Sequence, residues 1–125
     1  YGHITDIMAT CLDVAGAEYP KTAKDQAILP IESKSLLPIL EGRSRPARDI
    51  FWEHEGNRAL RHGKWKLASR HPDGWELYDI EADRTELRDL AAERPEMVRE
   101  LAAMWESWAT RTNVLPWDHV RPKGT

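Results

Sequence analysis

Five histidines and one cysteine are the side chains of this sequence best suited to acid–base, metal or nucleophilic chemistry. They are His3, His54, His62, His71, His119 and Cys11. No two histidines have the spacing that would let one helix face hold a metal, and no HExxH motif occurs. A single cysteine excludes both an intramolecular disulfide and a multi-cysteine zinc site. The GxSxG, P-loop and GxGxxG motifs are also missing, so the residue pattern alone defines no complete catalytic set.

His54 differs from the other histidines because polar residues follow it at the end of a predicted strand. Glu53 and Glu55 flank it, and Asn57 follows three residues after it. Loops that follow strands often display functional groups, although a solvated surface histidine is the alternative interpretation. The remaining histidines are expected to be solvated surface residues: His3, His62, His71 and His119.

The middle of the chain contains four short segments rich in β-favouring residues, and turn signals separate them. The segments are 49–54, 58–61, 64–67 and 75–79. Short turns between consecutive strands favour an antiparallel sheet. A two-residue turn at residues 62–63 would pair Leu60 with Trp65, and it would also pair Arg58 with Leu67.

The opposite surface of that hairpin is predicted to be basic, because it would carry Arg61, Lys64 and Lys66. Like charges that face each other across two strands are mildly destabilising. We therefore expect open solvent or an acidic partner there, and an anion-binding surface is the alternative interpretation.

Two helix signals follow the strands. The residues Asp-Arg-Thr-Glu at 83–86 have the pattern of a capping box, and Pro95 suits the first position of a longer helix. The longer helix has one apolar stripe, formed by Met97, Val98, Leu101, Met104, Trp105 and Trp108. We expect this stripe to cover a sheet face that carries Trp52, Leu60, Trp65 and Leu67. Residues 113–125, including Pro122, are predicted to form an irregular tail in which Trp117 packs against the domain.

The first residues of the chain predict another helix, since their apolar side chains recur at helical spacing. These side chains are Ile4, Ile7, Met8, Cys11, Leu12 and Ala15. Gly16 follows where a left-handed residue commonly ends a helix. Because Cys11 lies on the apolar stripe, it is predicted to be a buried thiol of ordinary reactivity. Prolines interrupt the pattern from residue 17 to residue 48, which predicts an irregular connector with one helical turn at 35–41.

Length and composition fit these elements. The chain has 125 residues, a formal net charge of −3 and 41% hydrophobic residues. We predict an α+β fold, in which a small four-stranded antiparallel sheet is covered by a C-terminal helix and preceded by one helix and an irregular connector. The expected division is residues 1–48, a helix that belongs to a preceding domain of a longer protein together with the connector, and residues 49–125, the sheet with its helix and tail. The slightly acidic balance disfavours nucleic acid, and no apolar run is long enough to cross a membrane.

The amino-acid sequences of several segments resemble those of the type I sulfatases of the arylsulfatase family, within the alkaline phosphatase superfamily. Residues 51–67 are similar to a strand and hairpin of that family. Residues 75–79, followed by 83–86 and 90–91, are similar to its next strand and turn. Residues 3–16 resemble the helix that closes its large α/β domain, and 35–42 resemble its connector. These matches occur in order over nearly the whole chain.

The resemblance implies a catalytic α/β domain followed by a smaller C-terminal subdomain, to which this chain corresponds. It also implies a sulfate-ester hydrolase that uses calcium and a formylglycine made from Cys or Ser in a C/S-x-P-S-R motif. In this sequence Leu-Asp-Val-Ala follows Cys11, so no catalytic residue and no metal ligand of the family can be assigned. The chain alone is therefore expected to be inactive. Its implied partners are the catalytic domain of the same protein and a sulfated small molecule or glycan.

The resemblance also gives the polar residues after the first strand a role. In such enzymes the C-terminal subdomain borders the catalytic cleft, which makes His54, Glu55 and Asn57 the candidates for substrate binding. An imidazole, a carboxylate and an amide could pair with sugar or phenol hydroxyl groups and provide specificity.

Two other functions remain open at this point. A phosphodiesterase or phosphonate monoester hydrolase of the same superfamily would share the fold. A stand-alone carbohydrate- or protein-interaction module would use Trp52, Trp75 or Trp117.

If the first helix belongs to a larger domain, one of its faces has lost its partner. We then expect an exposed apolar patch along Ile4, Ile7, Met8 and Leu12. Self-association or a neighbouring domain would cover it.

Overall fold

The computed structural model describes residues 1–120 and divides into two units, Tyr1–Pro46 and the chain from Ala47 onward. The first unit contains α1 (Asp6–Ala15), β1 (Thr22–Ala23), β2 (Gln26–Ala27) and α2 (Leu37–Leu40). The second contains β3 (Ile50–His54), β4 (Asn57–His62), β5 (Trp65–Ser69), β6 (Glu76–Asp79), α3 (Pro95–Arg111) and α4 (Trp117–Val120). The predicted α+β class, with a four-stranded antiparallel sheet and a C-terminal helix, is confirmed. The part of the predicted tail that includes Pro122 lies outside the described residues.

A buried carboxylate organises the first unit. Asp6, the first residue of α1, is completely buried and accepts hydrogen bonds from the backbone N–H groups of His3 (3.0 Å) and Lys34 (3.1 Å). Its charge is paired with the Arg45 guanidinium at 3.3 Å. Arg45 also donates to the Tyr1 carbonyl oxygen at 2.9 Å. Asp6 therefore joins the start of α1 to the connector, and α1 ends at Gly16 (φ 61°) as predicted.

The apolar face of α1 is largely uncovered in this chain. Ile4, Ile7 and Met8 are 74%, 54% and 58% exposed, whereas Leu12 is half-buried. The prediction of a buried Cys11 is wrong, because its side chain lies on the same uncovered helix and is exposed. Because these side chains are exposed, helical periodicity identified an apolar face and not a buried one.

The sheet has the order β3-β4-β5-β6, and every neighbouring pair is antiparallel. The predicted pairing of the central hairpin is wrong by two residues. Leu60 pairs with Leu67 and Arg58 with Ser69, since His62 and Trp65 close a turn made by residues 63 and 64. Gly63, with φ 57°, still supplies the left-handed residue that this turn needs.

Helix α3 covers one face of the sheet, and the core lies between them. The core consists of Leu60, Leu67, Leu77, Leu101, Trp105 and Ala109. Trp52 was expected on this face, but it lies on the opposite one and is 37% exposed. The adjacent Phe51 takes that place and stacks on Trp108 with ring centroids 5.2 Å apart.

The segment between β6 and α3 contains no helix, so the predicted capping box is wrong. The Asp83 carboxylate accepts hydrogen bonds from the N–H groups of Leu87 and Arg88, both at 2.8 Å. Those bonds close a loop, and they lower the pKa of Asp83. Glu86 adopts a left-handed conformation (φ 58°) that a helix would not allow.

The basic residues of the central hairpin have acidic partners, as expected. Lys66 contacts Glu86 at 2.5 Å, and Lys64 contacts Asp79 at 2.6 Å. The hydrogen bond from Lys64, together with the N–H groups of Ala82 and Glu81, lowers the pKa of Asp79. These ion pairs offset the repulsion between Lys66 and Arg61, which face each other across β4 and β5.

Candidate functional site

The three predicted substrate-binding residues lie together at the tip of the β3–β4 hairpin. His54 ends β3 and pairs with Asn57, the first residue of β4. Glu55 and Gly56 make the turn, and both have left-handed backbone conformations (φ 53° and 82°). Two consecutive left-handed residues are the requirement of the tight turn that suits the twist of a hairpin. The sequence therefore places an imidazole and a carboxylate side by side at an exposed corner.

Asn57 has a structural role in this corner. Its side-chain nitrogen donates to the His54 carbonyl oxygen at 2.8 Å, and its side-chain oxygen accepts from the His71 backbone N–H at 3.1 Å. The amide thus closes the hairpin turn and attaches it to the loop that joins β5 to β6. A substrate could use this amide only in exchange for one of these bonds.

His54 and Glu55 present the opposite situation. Both side chains are exposed, and neither has a hydrogen-bond or ion-pair partner within residues 1–120. The Glu53 carboxylate, one residue before His54, instead accepts from the Gly56 N–H at 2.8 Å. The structure therefore brings all three candidates together and leaves His54 and Glu55 as the two whose polar groups are unengaged.

A groove of about 350 Å³ lies on the helix side of the same hairpin. We call it the Arg58 groove. Its lining residues are Glu53, Gly56, Arg58, His71, Trp105, Glu106, Ala109, Thr110, Val114, Leu115, Pro116, Trp117 and Asp118. Sequence reasoning missed this groove because its walls come from four separate segments whose spacing carries no motif.

Arg58 lines the groove, and its guanidinium group packs against two indole rings. Its guanidinium carbon lies 4.2 Å from the Trp75 ring centroid and 5.4 Å from that of Trp105. One nitrogen donates to the Ser69 hydroxyl at 3.2 Å, and another lies 3.6 Å from the Glu106 carboxylate. An arginine with this many contacts is fixed in position, and its stem adds apolar packing.

Gly56 is required where the groove meets the hairpin tip. A Cβ atom at this position would lie 2.9 Å from Cγ of His71, which is closer than side chains tolerate. The imidazole therefore rests on the bare backbone of the turn. On its other side, Nε2 of His71 lies 3.9 Å from the Asp118 carboxylate.

The described residues do not fit the calcium or the formylglycine that the sequence resemblance implies for a whole enzyme. Within residues 1–120, no group of three or more His, Cys, Asp or Glu side chains is arranged to hold a metal ion. No cysteine or serine begins a C/S-x-P-S-R motif: Leu-Asp-Val-Ala follows Cys11, and residues 44–48 have Ala47 where the motif has a serine. In the same range, no helix is long and apolar enough to cross a bilayer.

Comparison with solved structures gives the fold a context. The chain is similar to the protein BT33336S-sulf of Bacteroides thetaiotaomicron, described with the metabolism of multiple glycosaminoglycans, at 25% identity and a TM-score of 0.66. It is similar to BT4656, solved in complex with its substrate D-glucosamine-2-N,6-O-disulfate, at 26% identity and a TM-score of 0.63. It also shares the fold of Ps i-CgsB, at 19% identity and a TM-score of 0.64. No protein-family model matches the sequence.

These structures are sulfatases, so the resemblance predicted from the sequence is confirmed at the level of fold. The similarity covers 84%, 90% and 85% of this chain for the three proteins in the order given. The chain itself spans only 24%, 25% and 24% of the lengths of these three proteins. Nearly the whole of this chain therefore matches a segment that makes up about a quarter of each sulfatase.

Proposed function

We propose that this chain is the C-terminal part of a sulfatase and that the whole protein hydrolyses sulfate esters of aryl compounds or carbohydrates. The observation that carries the proposal is the shared fold, which extends over nearly the whole chain and about a quarter of each sulfatase. In this proposal the formylglycine nucleophile and the calcium belong to the rest of the protein.

The chain itself would support the catalytic domain and complete its substrate cleft. The uncovered face of α1, with Ile4, Ile7 and Met8 exposed, suits packing against a larger apolar surface. Burial of apolar area contributes about 25 cal/mol per Å², so three such side chains would add several kcal/mol to the attachment.

Substrate recognition would use the unengaged groups at the hairpin tip. The His54 imidazole can donate or accept a hydrogen bond, and the Glu55 carboxylate accepts from hydroxyl groups. Asn57 would act through the turn that it stabilises, because its amide already has two partners. The substrate class proposed for these groups is a sulfated sugar, the chemistry described for the substrate of BT4656.

The reaction class is tested with the full-length protein and three substrates that share one leaving group. We expect release of 4-nitrophenol from the sulfate ester in clear preference to the matching phosphodiester and phosphonate monoester. All three substrates carry one negative charge, so the discrimination must come from shape. The sulfate ester presents three terminal oxygens, whereas the phosphodiester and the phosphonate monoester carry a second organic substituent that a site built for sulfate has no room for. Preference for the phosphodiester or phosphonate would replace this proposal with the other hydrolase of the superfamily.

The hairpin tip is tested in the same protein with His54→Ala and Glu55→Ala. Each variant should lower kcat/KM for a sulfated sugar roughly tenfold, since one lost hydrogen bond to a substrate hydroxyl costs about 1 kcal/mol or more. Hydrolysis of 4-nitrophenyl sulfate, which has no sugar hydroxyls, should change little. The control is His62→Ala, an exposed histidine at the far end of β4. Unchanged kcat/KM across several sulfated sugars would remove both residues from the site.

A further inference from the structure

The Arg58 groove lies on the other side of the hairpin from the proposed substrate contacts. Side chains alternate along a strand, so Glu53 and Arg58 point to the helix side while His54 and Asn57 point away from it. The groove therefore presents a separate surface, which the proposed substrate contacts do not use.

The groove combines aromatic walls with a mixed set of hydrogen-bonding groups. The nearly buried Trp105 indole forms part of its floor, and the half-buried Trp117 forms one wall. The Glu53 and Glu106 carboxylates can accept hydrogen bonds, and the Arg58 guanidinium can donate. Aromatic and apolar side chains next to placed polar groups are typical of small-molecule sites, whose volumes are about 300–1,000 Å³.

The charges in the groove disfavour an anionic ligand. The carboxylates of Glu53, Glu106 and Asp118 outnumber the single guanidinium, and a protonated His71 would still leave the lining negative. A sulfated or phosphorylated group would therefore be repelled. A compact cation would meet the Arg58 guanidinium, which its contacts with Trp75 and Ser69 hold in the wall.

We propose that the Arg58 groove binds an uncharged, hydroxyl-rich ring, namely an unsulfated sugar residue of a glycan chain. The apolar faces of such a ring would lie against Trp117, and its hydroxyl groups would donate to Glu53 and Glu106 and accept from Arg58. A sugar has hydroxyl groups that serve both as donors and as acceptors, which matches a lining with both kinds of group. The volume of about 350 Å³ accommodates one or two rings. This inference is independent of the sulfatase proposal, because it rests on the groove alone.

The test is an NMR titration of the 125-residue chain in which the six indole N–H signals are followed. The probes are the unsulfated trisaccharides of glucose, galactose, mannose and N-acetylglucosamine, with 6-O-sulfated N-acetylglucosamine as the charged comparison. We expect at least one neutral trisaccharide to shift the Trp117 and Trp105 signals with a Kd on the order of 1 mM, which corresponds to about −4 kcal/mol. The sulfated sugar should bind more weakly.

Matched variants locate the binding. Trp117→Ala should abolish the shifts at Trp105, and Glu106→Gln, an exposed and nearly isosteric change, should weaken binding severalfold. Neither position belongs to the buried core. Trp52→Ala, which removes an exposed indole from the opposite sheet face, should leave the affinity unchanged. The proposal is overturned if no neutral trisaccharide shifts these signals, if the sulfated sugar binds more tightly, or if the shifts are confined to Trp52.

Discussion

At the scale of single residues, burial and local partners determine which side chains are available for function. Asn57, predicted as a substrate contact, is committed to two backbone groups, whereas His54 and Glu55 beside it are unengaged. This difference could not be predicted from the sequence, because the partner of the Asn57 oxygen is the N–H of His71, which lies on another segment. The residue types predicted a polar corner, and tertiary contacts assigned the roles within it.

Tyr78 shows how burial changes a residue's chemistry. It is 7% exposed and donates to the Glu76 carboxylate at 3.0 Å. Burial first, and then the bond to Glu76, raise the pKa of Tyr78 to about 12 from an ordinary value of 10.0. The neutral phenol is therefore favoured in the folded state. Its stabilising contribution is fully present below pH 10 and is lost as the pH rises through 12.

This shift predicts a specific alkaline loss of stability. Between pH 9 and pH 11 the free energy of unfolding should fall by about 1 kcal/mol more in the unmodified chain than in Tyr78→Phe. Urea denaturation at the two pH values measures the difference, and the variant cancels the contribution of other groups that titrate in this range. Equal losses in the two proteins would mean that Tyr78 ionises as easily in the folded chain as in the unfolded one.

At the scale of elements, periodicity predicted most of the second unit. The four strands, the long helix from Pro95 and the sheet face that carries Leu60 and Leu67 follow from apolar spacing and turn residues. Each residue of β4 pairs two residues further along β5 than predicted, because a glycine turn at 62–63 and one at 63–64 fit the same sequence. Both alternatives keep the same side chains on the same face, so the core prediction survived the error.

Local signals failed where a tertiary contact competed with them. The residues at 83–86 match a capping box, but Glu86 reaches Lys66 on the sheet and the chain forms a loop. Trp52 was expected on the sheet face that α3 covers, although strand alternation places Phe51 there. The Arg58 groove was not predicted at all, since Glu53, His71 and Trp117 meet only after folding.

The attachment of α3 to the sheet depends on Trp105. This indole is 4% exposed, and its Nε1 donates to the Trp52 carbonyl oxygen at 3.0 Å. Trp105→Ala should cost about 3–5 kcal/mol of stability, whereas Trp105→Phe should cost less because it keeps most of the apolar contact. Urea denaturation measures both, with the exposed Glu100→Ala of the same helix as the control. Similar losses for Ala and Phe would show that the hydrogen bond, and not burial, dominates.

At the scale of the whole molecule, the chain has a hydrophobic core of its own and also one exposed apolar surface. The second unit buries leucines and tryptophans between sheet and helix, while α1 exposes Ile4, Ile7 and Met8. In the function proposed above, the rest of a longer sulfatase covers this face. The prediction that this face attracts a neighbour or a second copy follows from the same exposed area.

The most direct test is reconstitution of sulfate ester hydrolysis from separate parts. The remainder of the full-length protein is produced without these 125 residues, and hydrolysis of 4-nitrophenyl sulfate is measured before and after the chain is added. We predict little activity from either part and at least tenfold more from the mixture. Ile7→Lys in the chain should prevent the gain, whereas Leu87→Lys, at an exposed residue in the loop before α3, should not. Full activity of the remainder by itself, or hydrolysis by the chain alone, would contradict the account.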